Sequence, residues 1–269
     1  MPFIALRLST ARRGRLLATP LSQLCLLLVL ASLSFDRMAL AQSAPGSALL
    51  AYESFSGVDG PLDQTNSGSG WAAGWSVQNH DQTTPGYNLA SRNQLVYAGL
   101  LQAGNYAVGG SVYQTAGRSL NVSPSGPFAA YLSSGVIDTP GTTIWLSVLL
   151  RKDSTTNDEL SITLLANGTP WWAAQGHVSI GYFGQSSNVN GNGYWSLKVD
   201  GTVYPTSVPV RMGEAAFLVL RIGFGPPDTA TLYVNPTPGA SDPGAAAAQA
   251  SATDGLAFNS VPWVFPVTS

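Results

Sequence analysis

The sequence predicts an all-β fold, an antiparallel β-sandwich of jelly-roll type, and three observations carry that prediction. Residues 144–152, 216–224 and 229–235 are apolar runs of strand length, the last two joined by Gly225-Pro226-Pro227-Asp228. Shorter strand-like segments recur along the rest of the chain with turn residues between them, and none of any length has a helical period. The 269 residues include 29 Gly and 18 Pro, with 10% charged against 45% hydrophobic side chains. That composition supplies many turns and enough apolar mass for one large core, and it argues against disorder. Strands and turns without intervening helices favour a sandwich over βαβ units.

Residues 1–41 read as a secretory signal peptide. Arg7, Arg12, Arg13 and Arg15 make a basic start, and residues 24–33 make an apolar stretch too short to span a bilayer. Ala39-Leu40-Ala41 fits a small-x-small cleavage pattern, which places the mature start near Gln42. Residues 42–48 are then a polar linker, and residues 49–269 form one domain. Five of the twelve basic and one of the fourteen acidic residues precede Gln42, leaving seven against thirteen, a net charge of −6. An acidic domain lacks the basic footprint that nucleic acid requires. The single cysteine, Cys25, leaves with the signal, so the secreted domain has neither disulfide nor thiol nucleophile.

Residues 49–55, Leu-Leu-Ala-Tyr-Glu-Ser-Phe, are the first strand expected. Residues 66–75 carry Gly68, Gly70 and Gly74 around Trp71 and Trp75, too much glycine for a helix. A loop whose indoles plug the edge of the core is expected there. Further strands are expected at 94–101, 110–114 and 128–132. Residues 144–152 are apolar on both parities, with Ile144, Leu146, Val148 and Leu150 on one, Trp145 and Leu149 on the other. Such a strand belongs at the centre of a sheet, under a second layer or a covering loop. Residues 158–165 alternate and are expected to pair with it as a hairpin. Asn167-Gly168 is a tight-turn dipeptide. Strands are expected at 177–183 and 194–199, the latter running into an Asp200-Gly201 turn, and 217–224 with 229–235 form a second hairpin. Residues 236–251 read as an extended loop in which alanines 245–248 suit a short helix.

Several segments together resemble a known group. They are Trp145-Leu146-Ser147 with Arg151, residues 176–181, Trp195-Ser196-Leu197, residues 217–224 and residues 228–236. Tyr52-Glu53-Ser54-Phe55, Gly70-Trp71 and Gly74-Trp75 are similar to that group's opening. The group is the bacterial secreted proteins with a concanavalin A-like lectin/glucanase (laminin-G-like) jelly roll, and the resemblance covers most of the mature chain. It implies fold far more than function. That domain usually closes with an Asp-Glu-Ile/Leu-Arg-like strand beside the N-terminal one. Here the sequence stops at Ser269 soon after Trp263-Val264-Phe265. Either the sandwich lacks its last strand or its closure differs, and a missing strand would leave an unpaired edge along residues 52–55. The resemblance also implies calcium as a candidate cofactor, with Asn79, Asp81 and Asp138 as its oxygen ligands.

Catalytic patterns are missing from the sequence. Hydrolytic members of that superfamily cleave glycosidic bonds with a Glu-x-Asp-x-x-Glu pair, and this chain has no such run. The mature glutamates are Glu53, Glu159 and Glu214, far apart in sequence. There is no Gly-x-Ser-x-Gly elbow, no His-x-x-x-His pair and no phosphate loop. What remains is aromatic. Trp171 and Trp172 follow the Asn167-Gly168 turn, and Tyr182, Tyr194 and Trp195 flank an Asn/Ser/Gly loop. Flat rings beside amides and hydroxyls suit a sugar; core packing is the competing reading. The expected function is a secreted, non-catalytic module that binds glycans or a cell-surface or matrix polymer. The alternatives are a hydrolase or lyase of the same fold, and a structural module without ligand.

Overall fold

The structure, a computed structural model, describes residues 4–10, 48–79, 87–91, 95–100, 105–109, 114–153, 159–166, 177–189, 192–240, 243–252 and 255–265, at some strand positions by backbone alone. The first sheet is built from β1 Ile4–Thr10, β2 Leu49–Glu53, β10 Thr143–Arg151, β16 Ala215–Gly223, β17 Asp228–Val234 and β18 Ala248–Ala252. Its order is β18-β17-β16-β10-β1-β2, antiparallel throughout. The second sheet contains β4 Ser76–Asn79, β7 Gln114–Ser119, β11 Leu160–Leu164, β12 Val178–Tyr182, β13 Asn188–Val189, β14 Asn192–Val199 and β19 Ser260–Phe265. Its order is β13-β14-β12-β11-β19-β7-β4, and β15 Thr202–Pro209 pairs with β14. Two small sheets complete the fold: β3 Gly60–Pro61, β5 Asn88–Ala90 and β6 Tyr106–Val108 in one, β8 Leu132–Ser133 and β9 Val136–Ile137 in the other.

The apolar parity of each sheet faces one shared core. Ile144, Leu146, Val148 and Leu150 of β10 pack with Leu218, Leu220 and Ile222 of β16. Against them lie Ile162 and Leu164 of β11, Val178 and Ile180 of β12, and Trp195, Leu197 and Val199 of β14. The three apolar runs that announce the fold are therefore neighbours, β10 beside β16 beside β17. The predicted hairpin of residues 217–224 with 229–235 forms, as β16 and β17. Asp200 (φ 47) and Gly201 (φ 78) are left-handed between β14 and β15, as a tight hairpin of matching twist requires.

The far face of β10 is covered only in part. Leu149 is buried in a satellite cluster with Phe217 of β16 and with Leu95 and Tyr106, supplied by the segment around β5 and β6. Trp145 on the same face stays half-buried. The predicted covering loop thus reaches one end of the strand.

Five local expectations are corrected. Residues 158–165 do not pair with β10, because β16 and β1 already occupy both of its edges; β11 joins the second sheet between β12 and β19. The alanine stretch enters strand β18, where Ala250 reaches the core beside β17. Alanine's helix preference is weak and yields to a full ladder. Residues 95–100 hold a turn in place of a strand, and residues 129–131 form a short 3-10 helix. The edge expected along residues 52–55 is occupied on one side: β1 lies between β2 and β10, while β2 itself ends the sheet and, among the described residues, meets the Tyr52–Ser69 bridge on its other side. The same seven residues belong to the predicted leader. Most of the strand expected at 110–114 lies outside the described residues.

A buried ion pair ties the two sheets together at one end. Glu53 ends β2, Arg118 lies on β7, and both side chains are fully enclosed. Arg118 Nη1 donates to Glu53 Oε2 and to Ser67 O (2.8 Å), while Nε and Nη2 both reach Ala73 O at 3.0 and 2.8 Å. Glu53 also accepts from Trp75 Nε1 (2.9 Å), the Phe55 N–H (2.8 Å) and the Ser67 hydroxyl. The guanidinium sits over the rings of Trp71 (4.8 Å) and Trp75 (5.5 Å). The glycine-rich loop exists to make this wrap. A Cβ on Gly68 would lie 2.0 Å from Tyr52 O, and one on Gly70 2.3 Å from Leu50 O.

Candidate functional site

The outer face of the second sheet gathers polar groups on three adjacent strands. Its core-facing parity is aliphatic and aromatic, so the opposite parity must point away from the core. On β11 that parity is Ser161 and Thr163, on β12 Ser179 and Gly181, and on β14 Tyr194, Ser196 and Lys198. The register aligns them in rows. Thr163 faces Ser179, which faces Lys198; Ser161 faces Gly181, which faces Ser196. The Thr163 and Ser179 hydroxyls are 2.9 Å apart. Ser196 Oγ lies 2.9 Å from Ser187 Oγ, which in turn accepts the Phe183 N–H at 2.8 Å.

The small residues of these rows are buried, Ser161 and Ser196 at 0% exposure, while Glu159, Tyr194 and Lys198 at their ends are half-buried. Ser161 Oγ donates to Glu159 Oε1 at 2.6 Å. Burial raises the Glu159 carboxyl above the ordinary glutamate range; the Ser161 hydroxyl and the Lys198 ammonium pull it back in part. Lys198 Nζ lies 5.6 Å from the Phe183 ring. The groups of this face that reach solvent are therefore one carboxyl, one ammonium and one phenol, the serine and threonine hydroxyls being enclosed and bonded to one another or to Glu159. Those three groups can donate to and accept from a polyol.

The sequence-predicted aromatics divide. Trp195 and Tyr182 are 2% and 3% exposed and pack in the core. Both belong to the inward parity of their strands, so their faces are taken up by protein. Tyr182 also receives the Lys152 ammonium over its ring at 5.1 Å. Tyr194 has the opposite parity and joins the polar face. Trp171 and Trp172 lie outside the described residues. Of the candidate calcium ligands, Asp81 lies outside the described residues and Asn79 is described by its backbone. Asp138 is half-buried; burial first and the nearby Asp228 second raise its carboxyl above the ordinary range. Asp228 itself accepts the Gly225 N–H (2.8 Å) and the Leu256 N–H (2.7 Å), a turn-fixing role. Among the described residues no three His, Cys, Asp or Glu side chains gather.

The first sheet carries a second surface feature that the sequence reading missed. Trp145, Arg221 and Tyr233 share the outer face of β10, β16 and β17 and are half-buried. The Trp145 and Tyr233 rings are 6.0 Å apart at 27°, and the Arg221 guanidinium is 5.9 Å from the Trp145 ring. The polar face also escaped notice, although its signal was present. Ser161/Thr163, Ser179/Gly181 and Ser196/Lys198 are each two apart in alternating segments, but only the register shows that they share one surface. No family model, curated protein or solved structure matches this chain.

Proposed function

We propose that the protein is a secreted, non-catalytic β-sandwich module of the concanavalin A-like kind, and that it binds glycan on the outer face of its second sheet. One observation carries the reading: Glu159, Tyr194 and Lys198 stand half-buried around the polar parity of three adjacent strands, β11, β12 and β14. These groups supply charge-assisted hydrogen bonds and one ring face to a sugar. The carboxylates favour binding over hydrolysis. Glu53 is committed to Arg118 and Glu214 to a surface contact with Arg211, so Glu159 has no described glutamate beside it.

A glycan array with a parallel reducing-sugar release assay tests this. Binding without release is expected, and release of sugar would overturn the non-catalytic reading. Tyr194→Ala and Lys198→Ala should each weaken binding about tenfold or more, equivalent to about 1.4 kcal/mol, at unchanged melting temperature. A second reading places the ligand on the Trp145–Arg221–Tyr233 platform, whose paired rings suit stacking. Trp145→Ala discriminates: loss of binding there, with the Tyr194 variant intact, moves the site to the first sheet. Trp171→Ala and Trp172→Ala test the sequence-derived position in the same assay.

A further inference from the structure

The first sheet contains a lane for one strand whose walls stand without it. β1 fills this lane as an interior strand, with seven residue pairs to β10 and four to β2. Its register sets Ile4, Leu6 and Leu8 opposite Leu150, Val148 and Leu146, positions whose side chains are at most 1% exposed. One wall, β10, is held on its other side by nine pairs to β16. The other wall, β2, is held by the Glu53–Arg118 clasp, by reciprocal Tyr52–Ser69 backbone bonds of 3.0 Å and by Trp71 Nε1 on Tyr52 O at 2.9 Å. None of these contacts involves β1.

The occupant is joined to its neighbour in an unusual way. Thirty-eight residues separate Thr10 from Leu49, although β1 and β2 are adjacent antiparallel strands. Hairpin connections normally take about 2–5 residues. The connection includes the apolar stretch 24–33 and the Ala39-Leu40-Ala41 cleavage pattern. Cleavage there would free β1 from the domain. The lane would then expose the apolar row of β10 and two unpaired backbone edges, which bind an added strand readily.

We propose that the lane between β2 and β10 is a strand-acceptor site. Its ligand is an extended peptide, antiparallel to β10, with apolar residues at alternate positions and no proline. Residues 4–10 are the occupant in the intact chain, and a partner segment of the same pattern takes their place after processing. The biological exchange rests on the leader reading of residues 1–41; the binding property of the lane is tested separately from it.

The experiment uses the full chain carrying Cys25→Ser and a specific protease site between residues 34 and 41. After folding and cutting, a fluorescent peptide of residues 3–12 is added. Saturable 1:1 uptake is expected. Removing the excised segment should lower the melting temperature by more than about 5 °C, and the peptide should restore it. Peptides with Leu6→Asp and Leu8→Asp, or with Arg7→Pro, should neither bind nor restore. An Arg7→Cys peptide should form a disulfide with a Ser147→Cys protein, the position that faces Arg7 in the register. A cut and stripped protein that melts as the intact one does and takes up no peptide overturns the proposal. So does dimerisation in place of uptake, which assigns the lane to a second copy. N-terminal sequencing of the secreted protein bears on the leader alone: a start at Met1 ends the processing step, and the uptake result still decides the lane.

Discussion

Replacing Arg118 by Met tests whether the inter-sheet ion pair organises one end of the sandwich. Met keeps much of the length and removes the charge. The Glu53 carboxylate then keeps Trp75 Nε1, the Phe55 N–H and the Ser67 hydroxyl but loses its counter-ion. Ser67 O, Ala73 O and Asn66 Oδ1 lose their donor as well. Both side chains of the pair are 0% exposed, so neither water nor salt can compensate. One-sided removal of a buried pair costs about 3–5 kcal/mol. With a urea slope of about 3 kcal/mol/M, the midpoint should fall by about 1–1.7 M. Trp71 and Trp75 beside the guanidinium make fluorescence a direct reporter. Adding Glu53→Gln removes the stranded charge, so the double variant should cost less than the two single costs together by more than about 1 kcal/mol. Molar salt should leave these differences unchanged. A single-variant loss below about 1 kcal/mol, or strict additivity, would refute the reasoning.

Three further outcomes are expected. Gly68→Ala places a Cβ 2.0 Å from Tyr52 O at φ +78, and should cost about 2–4 kcal/mol in urea unfolding; a loss within about 0.5 kcal/mol would mean that the loop does not wrap β2 as described. Asp228→Ala strands the Gly225 and Leu256 N–H groups and should cost about 2–3 kcal/mol, whereas Asp228→Asn, which retains an acceptor, should cost less. Glu159 has a folded-state pKa above its unfolded value, so it binds its proton more tightly when folded. Its contribution favours the fold at low pH and is lost as pH rises through the window between the two values. The melting temperature of the wild type relative to Glu159→Gln should therefore fall from about pH 4 to pH 7, and a flat difference would contradict the assigned burial.

The fold was legible where one strand sufficed to reveal it. The alternation of residues 216–224 and 229–235 with a turn between them specifies a hairpin from local information alone, and β16 and β17 form it. The loop 66–75 was legible as a core plug because glycine and tryptophan together exclude a helix, and Trp75 is fully buried. Partner choice was not legible. Residues 158–165 follow β10 closely in sequence, but strand pairing depends on which edges are already occupied, and those are filled from residues 4–10 and 215–223. The candidate aromatics divided for a related reason. Trp195 and Tyr182 were chosen for their chemistry, yet their parity turns them inward, and Tyr194 beside them turns outward.

The sequence by itself determined the class of the fold and the alternation within each strand, because strand propensity, turn chemistry and parity are properties of a few neighbouring residues. The tertiary structure decided which surfaces those alternations share. A hydroxyl row across β11, β12 and β14, a Glu53–Arg118 clasp spanning 65 positions, and a lane filled by the first residues of the chain all depend on register between distant segments. Register is set by the fit of whole faces and by the edges left open to pair. No local stretch of this chain contains that information.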